Sequence, residues 1–380
     1  MNLRRILAIS SISLFVAASL VAPSFATGNP NCTEVDGEYI VTFAKGASIA
    51  NEVKNVNGKQ VNPRFMYDEA INGFAGFLTG QQVCVLKKRG NVLDVEADQV
   101  VTLDANQSGA TWGLDRVDQQ SLPLNSTYSY TSTGAGVDAY VIDTGILGTH
   151  SEFTGRIRSG YTAINDGLET TDCNGHGTHV AGTIGGTTYG VAKAVTLIPV
   201  RVFGCEISTP ISAIISGINW AIGDHGPGVK AVANMSLGGG ISKSLDTAVN
   251  NLIKDGVAVV VAAGNSYQSA CNSSPARVSA AITVAASTNN DVFASFSNYG
   301  RCVDIIAPGV AITSAWHTGT SASNSISGTS MASPHVAGAI ARALGNNQLA
   351  STVVNSATSN RISRVPNGTP NRLLFMTPGN

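Results

Sequence analysis

Charge is scarce in this sequence of 380 residues: Asp, Glu, Lys and Arg make up 12%, and 23 basic side chains nearly cancel 24 acidic ones. No basic block stands anywhere, which argues against nucleic acid as a partner, because phosphates are held by clustered Lys and Arg. With hydrophobic residues at 43%, so little charge also excludes a disordered chain and implies a large buried core. None of the six cysteines forms a Cys-x-x-Cys pair, so disulfides fit better than metal or redox chemistry. Beyond the first 26 residues no stretch is long and apolar enough to cross a bilayer. Glycine, by contrast, is plentiful at 41 residues, which implies many tight turns and close backbone approaches.

Residues 1–26 have the form of an export signal. Arg4 and Arg5 precede an apolar or small-residue stretch over 6–21, and Ser24-Phe25-Ala26 offers a small-x-small cleavage site. Serines at 10, 11 and 13 interrupt that stretch, which is short for a membrane anchor. A secreted, extracellular protein with no membrane attachment after cleavage is therefore expected. Next comes a small unit over 27–104. Residues 38–43 and 73–78 alternate as strands do, 81–89 suits a helix closed by Gly90, and 95–103 runs strand-like into a polar stretch at 104–109. From Ala110 the pattern changes to apolar runs at 139–142, 195–203, 231–235, 257–263 and 281–286. Helical stretches at 211–222, 244–254 and 330–344 lie among them. Short apolar strands alternating with helices predict an α/β fold, a doubly wound parallel sheet covered on both faces, with the ligand beyond the carboxyl ends of the strands.

Four clusters carry candidate chemistry, each with a plainer alternative. Asp143 terminates an apolar strand, where a carboxylate needs hydrogen bonds or a cation; alone, Asp143-Thr144-Gly145 reads more readily as a turn. His176 opens a helix of small residues and suits a general base; His176 with His179, one turn on, also has metal-ligand spacing, although no further ligand stands nearby as in His-Glu-x-x-His. Ser330 opens the last long helix, where backbone N–H groups and the positive dipole end favour an oxyanion; a helix-capping Ser is the alternative. Pro334 is expected in or near the first turn of that helix, where a missing N–H costs little. Asn265 ends the strand at 257–263 and either forms a turn or aims an amide at the same oxyanion.

Taken in order, the strings VIDTGI, GHGTHVAGT, ANMSLGGG, VAAGN and GTSMASPHVAG resemble those of the subtilases, and within that family the proteinase K branch of aqualysin-type proteases. The likeness runs from residue 110 to 374. It implies a subtilisin-like serine endopeptidase in which Ser330 attacks the carbonyl, His176 carries the proton and Asp143 orients the imidazole, with Asn265 and the Ser330 N–H as the oxyanion hole. It also implies protein and peptide substrates added as a strand along Ser236, Leu237 and Gly238, with Ala262, Ala263 and Gly264 lining an open, apolar S1 pocket of broad specificity. A peptide-binding relative without catalysis is the alternative, although competent residues fill all four positions.

YIVTF and INGFAGFL resemble the inhibitory propeptide of the same family. A ferredoxin-like α+β unit over 27–104 is therefore expected to block the cleft until cut away near Asp104-Ala105, leaving a monomeric catalytic domain over 105–380. The resemblance further pairs Cys173 with Cys205 and Cys271 with Cys302, while Cys32 with Cys84 follows only from parity. It implies structural Ca2+ at Asp304 with the carbonyls of Ser279 and Ala281. Asp115, Asp118, Gln119, Asn125 and the region of Thr127 offer oxygen ligands that suit a second site, with ordinary surface acids or pairing with Arg116 as the equal alternative for Asp115 and Asp118. One departure stands out. Relatives are glycine-rich after the cysteine of the cleft wall, whereas here Glu206-Ile207-Ser208-Thr209-Pro210 follows Cys205, which predicts a stiffer, more crowded outer subsite.

Overall fold

The computed structural model describes residues 33–98 and 105–379, so the signal segment, Cys32 and Asp104 lie outside the described residues. The chain divides into two compact units near residues 101 and 102. In the first, β1 (Gly37–Phe43), α1 (Ile49–Glu52), β2 (Phe65–Tyr67), β3 (Gly73–Leu78), α2 (Gly80–Leu86) and β4 (Val92–Ala97) form a βαββαβ unit. Its antiparallel sheet has the order β2-β3-β1-β4. Inward residues Val41, Phe43, Phe74 and Leu78 pack against Val83 and Leu86 of α2, as the alternation of EYIVTF and GFAGFL requires. Helix α2 begins with a capping box between Thr79 and Gln82. It stops at Leu86 rather than 89, because Lys88 and Arg89 bond back three residues instead of four and tighten the last turn.

The second unit opens with β5 (Ala105–Ser108), α3 (Trp112–Val117) and β6 (Thr127–Tyr130). The polar stretch expected at 104–109 is thus in part a strand, paired antiparallel with β6. Then come β7 (Val137–Asp143), β8 (Tyr161–Thr162), α4 (His176–Gly185), β9 (Thr196–Arg201), α5 (Ile211–Asp224), β10 (Lys230–Met235), α6 (Lys243–Lys254), β11 (Ala258–Ala262) and β12 (Ile282–Ser287). The chain closes with β13 (Ile305–Pro308), a hairpin of β14 (Ile312–Ala315) and β15 (Ser323–Ile326), α7 (Thr329–Gly345), α8 (Ser351–Asn355), β16 (Thr358–Ser359) and β17 (Arg372–Leu373).

Nine strands form the main sheet in the order β16-β17-β13-β12-β11-β10-β7-β9-β8, parallel except for the terminal β16–β17 pair. Successive strand residues feed opposite cores. Ala139, Val141, Leu197, Val232 and Val260 join the core of α4 and α7, while Tyr140, Ile142, Ile198, Ala233 and Val261 join the core of α5 and α6. That alternation of all-apolar strands is what a sheet buried on both faces requires. From β7 the chain proceeds to β9 on one side and to β10 on the other, so a crevice opens beyond the carboxyl end of β7. Disulfides join Cys173 to Cys205 and Cys271 to Cys302. Cys84 is not free, and its pairing with Cys32 lies outside the described residues.

Candidate active site

A cavity of about 530 Å³ lies at that crevice and is lined by Asp143, His176, Ser330 and Asn265, together with Ser236, Leu237, Gly238, Ala262, Ala263 and Gly264. Asp143 is the last residue of β7 and is 1% exposed. Its Oδ1 accepts from the Thr144 N–H at 2.8 Å and from His176 Nδ1 at 2.7 Å, and its Oδ2 is buried with no partner among the described residues. Among the described residues the imidazole is the one partner of this carboxylate that can become a cation, and Nε2 is the ring nitrogen left to act on a substrate. Burial disfavours the imidazolium, but the charge and hydrogen bond of Asp143, helped by the charge of Asp172, outweigh it and raise the His176 pKa above the ordinary histidine value.

His176 is the first residue of α4, and the turn before it is tightly built. Gly175 has φ +106°, and a Cβ there would stand 2.5 Å from His317 Nδ1, so no side chain fits. His179 does not share a ligand position with His176. Its ring is fully buried, its Nε2 bonds the Ile312 carbonyl at 2.9 Å, and burial lowers its pKa to about 4. The paired-metal reading of the two histidines thus finds no support here. The one cluster of metal-type ligands among the described residues, Asp166 with Cys173 and Cys205, has both sulfurs in a disulfide and its carboxylate on Arg201.

Ser330 is the second residue of α7. Its hydroxyl donates to the Ser236 carbonyl at 3.1 Å, and its own carbonyl accepts from Ser236 Oγ at 2.7 Å. The second bond has a cause in the sequence. Pro334 sits inside α7, beyond the first turn expected for it, and its missing N–H is the one that would have bonded the carbonyl four residues earlier. That carbonyl belongs to Ser330, and Ser236 takes it. Ser236 Oγ also accepts from Asn234 Nδ2 at 2.9 Å, and Asn234 Oδ1 accepts from Ser333 Oγ at 2.5 Å, so a neutral network underlies the nucleophile candidate.

Asn265 follows β11 through Gly264, which has φ +102° and leaves no room for a Cβ beside Asn298. Asn265 Oδ1 accepts from both the N–H and the hydroxyl of Thr329 at 2.8 Å, which fixes the amide and leaves its Nδ2 donors without a protein partner among the described residues. Ile207 lines the cavity with 88% of its surface exposed, whereas Pro210 caps the start of α5 and is not among the lining residues. Sequence reasoning missed Asp172, Thr144, Thr329 and Asn234 as supports. The run Asp172-Cys173-Asn174-Gly175 ahead of a helix carried a capping signal that could have found the first.

Two regions outside the cavity hold the candidate cation ligands. Asp115 is 2% exposed and accepts from Ser126 N at 2.6 Å and from Gln119 Nε2. Asp118 accepts from Ser129 N at 2.7 Å through Oδ2, but its buried Oδ1 has no partner among the described residues. Burial, with the Asp115 charge adding, pushes the Asp118 pKa up to about 6. Asp304 stands just ahead of β13, accepts from Thr283 N at 2.8 Å and is likewise raised by burial.

The model of the subtilase family matches residues 134–373, and that of the peptidase inhibitor I9 family matches 38–104. An extracellular serine proteinase of Thermus sp. (strain Rt41A) is 56% identical over 82% of this chain and 77% of its own length. Alkaline serine exoprotease A of Vibrio alginolyticus is 47% identical over 91% of this chain and 68% of its own. The crystal structure of a cold adapted subtilisin-like serine proteinase is 50% identical and covers 70% of this chain and 98% of its own, with a TM-score of 0.67. The chain belongs to the subtilase family of serine peptidases.

Proposed function

We propose that this protein is a secreted serine endopeptidase in which Ser330, His176 and Asp143 hydrolyse peptide bonds through an acyl-enzyme. The observation that carries the reading is the 2.7 Å bond from His176 Nδ1 to the buried Asp143, which leaves Nε2 basic on the cavity that Ser330 and Asn265 also line. Ser330 exchanges its hydrogen bond to the Ser236 carbonyl for one to Nε2 and attacks the scissile carbonyl as the imidazole takes its proton. Asp143 then stabilises the imidazolium, which returns the proton to the leaving amine. Charge developing on the carbonyl oxygen meets the Asn265 amide and the Ser330 N–H at the positive end of α7, donors already oriented before substrate arrives. Water repeats the sequence on the ester.

The stretch Ser236-Leu237-Gly238 continues past the end of β10 and offers an edge to an extended substrate. Ala262, Ala263 and Gly264 project little side chain, which supports an open S1 pocket that takes large apolar residues. Exposed Ile207 across the cavity narrows the outer subsite. The domain boundaries follow from the same reading: a signal at 1–26, an inhibitory propeptide at 27–104 and a monomeric peptidase at 105–380. The inhibitor-type match over 38–104 and the division of contacts near residue 101 support the second boundary. The propeptide is removed by the enzyme's own activity.

Calcium fits two places. An orphaned buried carboxylate oxygen on Asp118 beside a second buried carboxylate is costly without a cation, so Asp115, Asp118 and Gln119 would hold one. Asp304, with the Ser279 and Ala281 carbonyls, would hold another. Bound there, the ion supplies stability and takes no part in the chemical step. The test of the whole reading is the secreted product's activity on a denatured protein. A serine-directed phosphonylating reagent is expected to abolish it. Resistance to that reagent with loss to a chelator at once would indicate a metallopeptidase, and no hydrolysis at all a binding protein.

A further inference from the structure

Asp172 is 3% exposed, lies outside the three residues assigned to the chemistry, and accepts five hydrogen bonds. Oδ1 receives the Thr144 hydroxyl and the backbone N–H groups of Asn174 and Gly175, each at 2.9 Å. Oδ2 receives the Thr178 N–H at 2.9 Å and its hydroxyl at 2.6 Å. Thr144 Oγ1 in turn accepts from the Gly177 N–H at 2.8 Å. One carboxylate therefore ties the residue directly after Asp143 to the turn and first helical residues directly around His176. Among the described residues no cationic side chain bonds it; its charge rests on open N–H groups at and just before the start of α4 and on hydroxyls.

We infer that Asp172 is the positioning residue of the His–Asp pair: it fixes the spacing of β7 and α4 at Asp143 and His176 and adds a second fixed negative charge behind the imidazole. This rests on the reading of His176 as the general base. The geometry makes both parts specific. The Thr144 bridge joins the two elements within one residue of each reacting side chain, so a slack clamp misaligns the 2.7 Å bond itself. Charged and titratable groups surround the imidazole. Asp143 faces it from β7, Asp172 from the turn, and His179 from one turn along α4. His317 packs on Gly175 from the loop between β14 and β15, and Arg201 of β9 bonds the Thr144 carbonyl while held by Asp166. Asp143 and Asp172 supply the negative charge acting on His176, in that order.

The experiment is the pH profile of kcat/KM on a small peptide substrate, with an NMR titration of the His176 ring, for the parent and for D172N, T144V and H176A. D172N is expected to lower kcat roughly tenfold and to move the acid limb and the ring titration down by about half a pH unit or more. T144V keeps the charge and opens the bridge, so kcat is expected to fall roughly threefold or more with the limb in place. A D172N enzyme whose limb coincides with the parent's, whatever its stability, overturns the electrostatic part. Full kcat in T144V overturns the clamp. Should D172N fail to accumulate as folded protein, T144V decides the clamp and D172S, read by the same pH profile, decides the electrostatic part. Activity retained in H176A would instead sink the general-base reading, and so separates that failure from this one.

Discussion

The two sides of the cleft are held together by different physics. On the α4 side the supports are ionic: Asp143 on the imidazole, Asp172 across the helix N-terminus, and a fully buried Arg201 gripping Asp166 while bonding the Thr144 carbonyl. On the α7 side they are neutral: Thr329 on Asn265, and Ser333, Asn234 and Ser236 in series beneath Ser330. The division follows function. The side that must stabilise a cation carries fixed negative charge, whereas the side that must stabilise an anion carries dipoles and keeps carboxylates away.

The neutral side should give the largest effects when broken. S330A is expected to lower kcat by about four to six orders of magnitude, leaving the residual rate that binding and the oxyanion donors sustain. Next comes N265A, for which a loss of about a hundred- to a thousandfold is expected, mostly in kcat. That range is what removing such a donor does in a related protease. Steady-state kinetics on one peptide substrate measures both, and a KM effect larger than the kcat effect in N265A would move Asn265 from oxyanion donor to substrate contact.

Each side also buries a histidine that has to stay neutral, His179 in α4 and His335 in α7, and burial lowers both to about 4. Because their folded pKa values lie below the unfolded value near 6.5, their contribution is complete above pH 6.5 and is lost as pH falls toward 4. It amounts to about 3 kcal/mol for each. His176 is shifted the opposite way and gains stability on the acid side, which offsets part of the loss. Melting temperatures from pH 7 to 4 measured with inhibitor present should therefore drop steeply across that window; a flat curve would mean that these rings protonate without cost. Chelator is expected to lower the melting temperature further while leaving kcat on a short assay unchanged, and D118N should reproduce part of that drop. The smallest effect belongs to the rim. I207G should change the relative kcat/KM for bulky and small outer residues severalfold, read from a positional peptide library, with the profile for the residue before the scissile bond unaltered.

How much of this was legible beforehand depended on the range of the interaction. Asp143, His176, Asn265 and Ser330 stand at junctions where an apolar run meets a turn or a helix start, so local pattern marked them as candidates, and the ordered motifs resembling the subtilases chose among their readings. The two-faced sheet was equally visible, because strands such as 139–142 and 257–263 have no polar alternation. What escaped were pairings between residues far apart in the chain. Arg201 bonds Asp166 across 35 positions, and Ser333 bonds Asn234 across 99. Neither leaves a periodicity. Pro334 was a subtler case: it lies past the first turn, and the helix tolerates it because the carbonyl it orphans is taken by Ser236. The strand at Ala105–Ser108 was hidden because its partner, β6, and not its own composition, makes it a strand.

Ser330 is nucleophilic only while His176 is neutral, on this reading, and the decisive experiment is the rate at which a phosphonylating reagent attaches to Ser330, followed by mass spectrometry as a function of pH. One adduct is expected, on Ser330, with a rate that falls as pH drops through a value above the ordinary histidine range, and no measurable labelling in H176A. Labelling on another residue, or at the parent's rate in H176A, would contradict it.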